Sequence, residues 1–291
     1  MTTYILGVLV VVVIFGLLAV SLDLLIGYTG LFTIVHGALF GMGAYTSAVL
    51  AKTMGFGFWG GSVAAMVAGG FVSLLIAIPS LRVSGHYLVL ASFGVQEVLH
   101  ALYLNLDGVT GGPAGMRGIP RPRLFGEEIA SNTSYLMLYS ALAAVFFLFI
   151  LVLVRSPFGL LLKAIREDEL VPQALGKPVV ALKIKAFMVS GATAGFAGAM
   201  YAHYITFVSP ETFDVHASIL ILSMVLIGGM GTLWGPFLGA AILTVLPEAL
   251  RFLPLDSATL GPLRQVVYGL VLVVFCFVRP RGLASGRGGI E

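Results

Sequence analysis

Apolar runs longer than the roughly 20 residues that carry a helix across a bilayer recur along this chain. Within lipid every backbone N–H and C=O needs an internal partner, so such runs restrict the fold to helices or a closed β-barrel. A barrel requires segments of about ten residues that alternate apolar and polar, and these runs do not alternate. Charged residues make up 10% of the 291, against roughly 25% in a soluble domain. The expected fold class is an all-α polytopic membrane protein, with one transmembrane domain over residues 1–291.

The candidate spans are residues 5–26, 31–51, 58–78, 87–106, 135–154, 186–208, 217–227, 233–250 and 263–278. The 31–51 run contains Gly37, Gly41 and Gly43 and reads either as one helix or as two short ones. The expectation is therefore about eight to ten transmembrane helices, some broken at glycine. The first run lacks a basic flank and outlasts a signal-peptide core, so it reads as a retained helix. Small residues recur four apart at Gly37/Gly41, Gly57/Gly61, Gly191/Gly195 and Gly235/Gly239. Such spacing lets helices approach closely where lipid supplies no hydrophobic drive. Gly27-Tyr28-Thr29-Gly30 also has a faint echo in Gly228-Gly229-Met230-Gly231, each preceding a small-residue run. Transporters are often built from repeats with broken helices near the substrate route.

One interior segment departs from the apolar pattern. Residues 155–185, RSPFGLLLKAIREDELVPQALGKPVVALKIK, hold six of the sixteen Lys and Arg residues and the acidic run Glu167, Asp168 and Glu169. Cytoplasmic loops retain Lys and Arg, so this segment and the tail with Arg279, Arg281 and Arg287 are expected inside. Residues 107–134 then lie outside, although they carry Arg117, Arg121 and Arg123. The side of the N-terminus depends on whether the 31–51 run is broken. Within the polar segment Ser156 suits an N-cap and Pro157 a first helical position. Leu161, Leu162 and Ile165 form an apolar stripe beside Lys163 and Arg166. Val171-Pro172 is expected to end that helix, and Pro172 to open a second one ended by Gly176. Two short amphipathic helices at the cytoplasmic face result. They could rest on lipid headgroups, but anionic lipid would repel the acidic triplet, which favours a protein partner.

Residues suited to chemistry are few. The chain has no His-Glu-x-x-His, Cys-x-x-Cys, Gly-x-Ser-x-Gly or phosphate loop. The net charge of +3 gives no nucleic-acid signature, and the lone Cys276 reads as a packing residue. Gln96 and Glu97 sit inside an apolar run. A mid-helix carboxylate costs about 2.5–3.5 kcal/mol on insertion scales, so it belongs at a wet route or a helix interface. Asp23 and His36 raise the same question less sharply. Tyr28, Thr29, His36, Gln96 and Glu97 are the candidate substrate-pathway residues; the plain alternatives are a turn for Tyr28 and Thr29, packing for His36, and a packing hydrogen bond or a place near the membrane surface for Gln96 and Glu97. Thr110, Gly111 and Gly112 form a flexible outer segment, or a simple turn.

Several blocks in combination resemble the LivM-type permeases of branched-chain amino acid ABC importers. They are Gly27-Tyr-Thr-Gly-Leu-Phe-Thr33 with His36-Gly-Ala-Leu-Phe-Gly-Met-Gly-Ala-Tyr45, and Leu106-Asp-Gly-Val-Thr-Gly-Gly-Pro-Ala-Gly-Met116. Arg155-Ser-Pro-Phe-Gly159 through Ala164-Ile-Arg-Glu-Asp-Glu169 and Ala174-Leu-Gly176 follow, then Gly228-Gly-Met-Gly-Thr-Leu-Trp-Gly-Pro236 and Arg279-Pro-Arg-Gly-Leu283. The asparagine usual before the last glycine of the second block is Ala114 here.

The resemblance implies a non-enzymatic permease subunit in the bacterial inner membrane. Its implied partners are a second, LivH-like permease, two ABC ATPase subunits that bind ATP and Mg, and a periplasmic or lipid-anchored substrate-binding protein. It implies no cofactor in this chain. Lys163, Arg166, Glu167, Asp168, Glu169, Leu175 and Gly176 would form the ATPase-coupling segment, and Thr110, Gly111 and Gly112 would lie toward the binding protein. Branched-chain or other neutral amino acids are the implied substrates, with urea or short amides as family alternatives. An ion-coupled secondary transporter using Glu97 or Asp23 is the competing reading of a different class.

Overall fold

The computed structural model describes residues 2–80, 86–124, 127–250, 266–267, 269–270, 273–274 and 282–284. Most of the expected 263–278 span, with Cys276 and the tail arginines, lies outside the described residues. Helix α1 (Thr2–Thr29) is the longest element. Asn132 Nδ2 donates to Thr3 O near its start, and Arg166 reaches Gly27 O near its finish. The chain therefore begins at the end of the bundle opposite residues 155–178. The end that holds those residues, expected inside from their charge, is termed the inner end, and the opposite end the outer one.

After α1 the backbone turns back as a non-helical stretch, residues 30–35, into α2 (His36–Thr53). The 31–51 run is thus neither one helix from its first residue nor two. It is a coil followed by one unbroken helix. Gly37, Gly41 and Gly43 do not break that helix, because they face close neighbours. A Cβ on Gly43 would lie 2.0 Å from Gly195 O. Then come α3 (Phe58–Ser80), α4 (His86–Asn105) and a single turn α5 (Asp107–Thr110). Next are α6 (Asn132–Arg155), α7 (Pro157–Glu167), α8 (Leu170–Ala174), α9 (Val179–Ile205), α10 (Val215–Gly228) and α11 (Trp234–Leu250).

Six helices are long and apolar enough to cross a membrane among the described residues, so the expected eight to ten are not confirmed. Helix α2 is not among them because it is rich in Gly, Ala and polar residues, and its buried faces meet protein instead of lipid. Of helix α11, 17 residues are described. Helix α9 starts seven residues before the expected 186–208 span. Val179 and Leu182 of its first turn are buried, and its Lys183 pairs with Glu169 at 2.5 Å.

Helix α9 is the axis of the bundle. Its small residues admit neighbours on several sides. A Cβ on Gly195 would lie 2.3 Å from Ala65 O of α3, and one on Gly198 would lie 2.1 Å from Phe40 O of α2. Packing of this closeness supplies association where lipid tails are as apolar as the side chains. The expectation for the Gly191/Gly195 pair is met in this contact geometry.

The outer segment is ordered. Strand β1 (Met116–Arg117) pairs antiparallel with β4 (Phe207–Val208), Met116 opposite Val208. Strands β2 (Arg123–Leu124) and β3 (Glu127–Glu128) form a small hairpin between them in sequence. His203 Nδ1 lies 2.7 Å from Pro120 O and its Nε2 lies 2.9 Å from Ser47 Oγ, tying the segment to α9 and α2.

Candidate functional site

The polar interior segment folds as two short helices, with different punctuation from that expected. Ser156 has N-cap backbone angles, but its hydroxyl donates back to Leu153 O at 2.6 Å and does not cap α7. Helix α7 stops at Glu167, ahead of Val171-Pro172. There Asp168 is the C-cap of α7, and its Oδ1 accepts from Leu170 N, the first residue of α8, at 2.9 Å. Pro172 lies inside α8 rather than at its start. A proline within the first turn removes no intrahelical bond, because that N–H has no partner in any helix. Gly176 follows with φ +71°, a left-handed value that suits glycine after a helix.

This segment faces two ways. Its inner stripe is buried: Leu162 and Ile165 pack against Leu24, Leu25 and Tyr28 of α1. Its tip, turned away from the bundle, is exposed and apolar, with Leu170, Val171 and Leu175 exposed. Of the acidic triplet, Glu169 bonds Lys183, Asp168 accepts from Leu170 N, and Glu167 is exposed with no bonded partner among the described residues. Lys163 sits over the Tyr28 ring, 5.5 Å from its centroid.

Arg166 ties the segment to the bundle. Its guanidinium donates to Gly27 O, and its side chain crosses Gly30 and Gly231. Asp23 Oδ1 accepts from Gly231 N at 2.7 Å. The two echoed motifs, Gly27-Tyr28-Thr29-Gly30 and Gly228-Gly229-Met230-Gly231, therefore meet at one inner junction. Each ends an inward-running helix and precedes an outward-running one. A Cβ on Gly27 would lie 2.3 Å from Gly231 N, so a larger residue at this crossing would separate them. Thr29 points elsewhere, its hydroxyl donating to Leu25 O at 2.6 Å.

A second junction lies near mid-depth. His36, the first residue of α2, has Nε2 2.9 Å from Ser190 Oγ, and Ser190 Oγ donates to Ser21 O at 2.5 Å. Ser190 is eleven residues into α9, about 16 Å from its inner end at 1.5 Å per residue. Helix α10 begins at the same level. The chain descends from the outer end through a short 3-10 turn (Pro210–Phe213) and starts α10 there, Asp214 Oδ1 accepting from Ala217 N at 2.9 Å. Two helix N-termini, each carrying positive partial charge and free N–H groups, thus approach one another inside the protein.

Gln96 fills the space between them. Its Oε1 accepts from Ala38 N at 2.8 Å and from Ser218 Oγ at 2.9 Å, and its Nε2 donates to Phe213 O at 2.8 Å. Ser218 Oγ in turn accepts from Gly37 N at 2.8 Å. Gln96 is fully buried. Helix N-termini at broken helices are ready-made anion sites, but here the protein's own oxygens occupy these donors.

Glu97, one residue on, is exposed on the far face of α4. Tyr87, Leu90, Phe93, Val98 and Leu102 are also exposed on this helix. The adjacent carboxamide and carboxylate therefore serve different surroundings. At the outer end Thr110 is buried, its hydroxyl donating to Tyr103 O at 2.8 Å. Gly111 and Gly112 take positive φ values of 75° and 55°. Gly111, Pro113 and Ala114 are exposed while Gly112 is buried.

Asp214, Ser218 and Ser190 join the mid-depth junction without having been singled out in the sequence. An Asp directly before the apolar run was a readable N-cap signal for α10. The two serines carried no signal, since Ser in a membrane helix usually bonds its own backbone.

A family profile described as the branched-chain amino acid transport system permease component matches residues 4–276. The LivM high-affinity branched-chain amino acid transport permease of Salmonella typhimurium is 33% identical over 93% of this chain and 67% of its own length. Its Escherichia coli namesake is 32% identical over the same shares. A solved inward-facing structure, described as of the metal-chelate ABC transporter type, aligns with a TM-score of 0.52 at 17% identity, over 93% of this chain and 84% of that one. That likeness concerns the fold alone.

Proposed function

The chain belongs to the branched-chain amino acid transport permease family and is a permease component of an ABC transporter, and from that premise we propose that it is one of two permeases in an ATP-driven importer of branched-chain or other neutral amino acids. The other subunits are a LivH-like permease, two ATPases that bind ATP and Mg, and a binding protein outside a bacterial inner membrane. The single transmembrane domain presents residues 155–185 to the ATPases and residues 107–134 to the binding protein.

The observation that carries this reading is the two-faced inner segment. An exposed apolar tip with charged residues around it is unstable in water and unneeded by the bundle, which suits a groove on another protein. Leu170, Val171 and Leu175 supply the apolar contact, with Glu167 and Gly176 beside them. Arg166 links the tip to the ends of α1 and α10 through Gly27 and Gly231. Displacement of the tip by closing ATPases is passed to both helices at once. Helix α1 leads into the coil before α2, and α10 leads back to the Gln96 junction, so both broken helices move together. Substrate passes along the exposed face of α4, where Glu97 meets the second permease or the water between the two. Ion-coupled secondary transport fits less well, because of its candidate sites Asp23 already has a carboxylate oxygen bonded to Gly231 N beside Arg166, and Glu97 stands exposed.

The test is reconstitution of the full assembly in proteoliposomes, with uptake and ATP hydrolysis measured together. Leucine uptake that requires ATP, and that falls at least tenfold in Leu175→Asp while the assembly still purifies, is the expected result. Uptake driven by an ion gradient without ATP would overturn the reading.

A further inference from the structure

A groove of about 410 Å³ runs between α1, α6 and α11 and takes no part in either junction. We propose that it is a binding site for an anionic glycerophospholipid, with an acyl chain in the groove and the phosphate on the Arg155 guanidinium.

The walls are apolar: Val13 and Val20 come from α1, Phe147 from α6 and Phe237 from α11. Ala143 and Ala144 open the space on α6, and Ala144 stands exposed on the rim. The one hydroxyl along the wall, Ser140, donates to Met137 O at 3.1 Å and asks nothing of an occupant. From Ser140 to Arg155 the helix rises about 22 Å, more than the roughly 15 Å hydrocarbon depth of one leaflet. An extended alkyl chain matches that length and polarity, whereas a polar solute does not.

The inner mouth has different chemistry. Arg155 lines it, is exposed, and has no bonded partner among the described residues. Trp234 lines it too, 66% exposed and packed on Phe147 with ring centroids 4.5 Å apart. Indole rings settle at the headgroup level of a bilayer, and a guanidinium is suited to bidentate bonding with phosphate. A cation and an interfacial aromatic at one end of a chain-length apolar slot make up the two halves of a phospholipid site. A bound lipid would bear on the hinge between α6 and α7 at Ser156, immediately before the segment that faces the ATPases. The described lining residues all come from this chain, so lipid binding there is independent of the importer reading.

The test is native mass spectrometry of the complex purified from detergent containing equal phosphatidylglycerol and phosphatidylcholine of identical acyl composition. Wild type should retain phosphatidylglycerol about fivefold over phosphatidylcholine, the effect of one cation on an anionic lipid. Arg155→Ala should bring that ratio to about one without preventing lipid retention, and Arg155→Lys should keep most of it. Ala144→Phe, at an exposed position that the fold tolerates, should reduce retained lipid of both kinds. An equal ratio in wild type, a preference that survives Arg155→Ala, or lipid undiminished in Ala144→Phe would each overturn the proposal. So would the absence of retained lipid, which would leave the groove to another segment of the chain.

Discussion

The inner tip of α7 and α8 and the mid-depth junction at Gln96 follow opposite plans. At the junction Gln96 uses both ends of its carboxamide, and the N–H groups of Gly37 and Ala38 are satisfied by side chains. At the tip, apolar side chains and the carboxylate of Glu167 stand in the open. A buried polar group without a partner is expensive, so the donors and acceptors around Gln96 are matched, although His36 Nδ1 in the same junction is buried without a partner among the described residues. A surface loop meets no such demand and can keep groups in reserve for another protein. The difference separates what holds the permease together from what it offers outward, with Arg166 as the connection between them.

The largest expected effect is at the junction. Gln96→Leu keeps the volume but strands Ala38 N and Phe213 O, at about 1–3 kcal/mol for each orphaned buried group. Membrane helices find substitute partners more readily, which places the result toward the lower end. Thermal melting of the purified protein should fall by several degrees, and an unchanged melting point would mean that the junction is not a structural clamp. Gln96→Glu would be a sharper probe, since a carboxylate keeps acceptors for Ala38 and Ser218 but loses the donor to Phe213.

The next effect is in the connection. Arg166→Ala removes the bond to Gly27 O from an exposed side chain, so the fold should survive. Substrate-stimulated ATP hydrolysis by the assembly should drop roughly threefold to tenfold, as expected for the loss of a charged hydrogen bond of about 1 kcal/mol or somewhat more. Basal hydrolysis should persist. Full stimulation in this variant would show that the tip transmits motion through its apolar stripe alone.

The smallest effect is at Glu97. Glu97→Gln keeps shape and polarity on an exposed face, so stability should change by less than about 0.5 kcal/mol, as for surface substitutions. A change in uptake of twofold or more would place the carboxylate on the route. Unaltered uptake would assign the face to contact with the second permease, where a neutral amide serves equally.

Residue order alone determined the membrane class, the two-helix inner segment and the family. Each rests on local composition, on spacing, or on blocks of consecutive residues such as Gly228-Gly-Met-Gly-Thr-Leu-Trp-Gly-Pro236. Glu97 also stood out in the sequence, because a carboxylate among apolar residues is costly wherever it points. The difference between Glu97 and Gln96 was not legible: neighbouring residues on a helix are about 100° apart, and only packing decides which one faces inward. The course of residues 30–35 and 206–214 was hidden for a similar reason. A helix can start in mid-membrane only where something else satisfies its first N–H groups, and here those partners come from residues 58 to 181 positions away. The meeting of the two glycine echoes was equally a matter of tertiary structure. Their likeness could be read along the chain, but the contact between Gly27 and Gly231 exists because α1 and α10 end at the same depth, where only a hydrogen atom fits between their backbones.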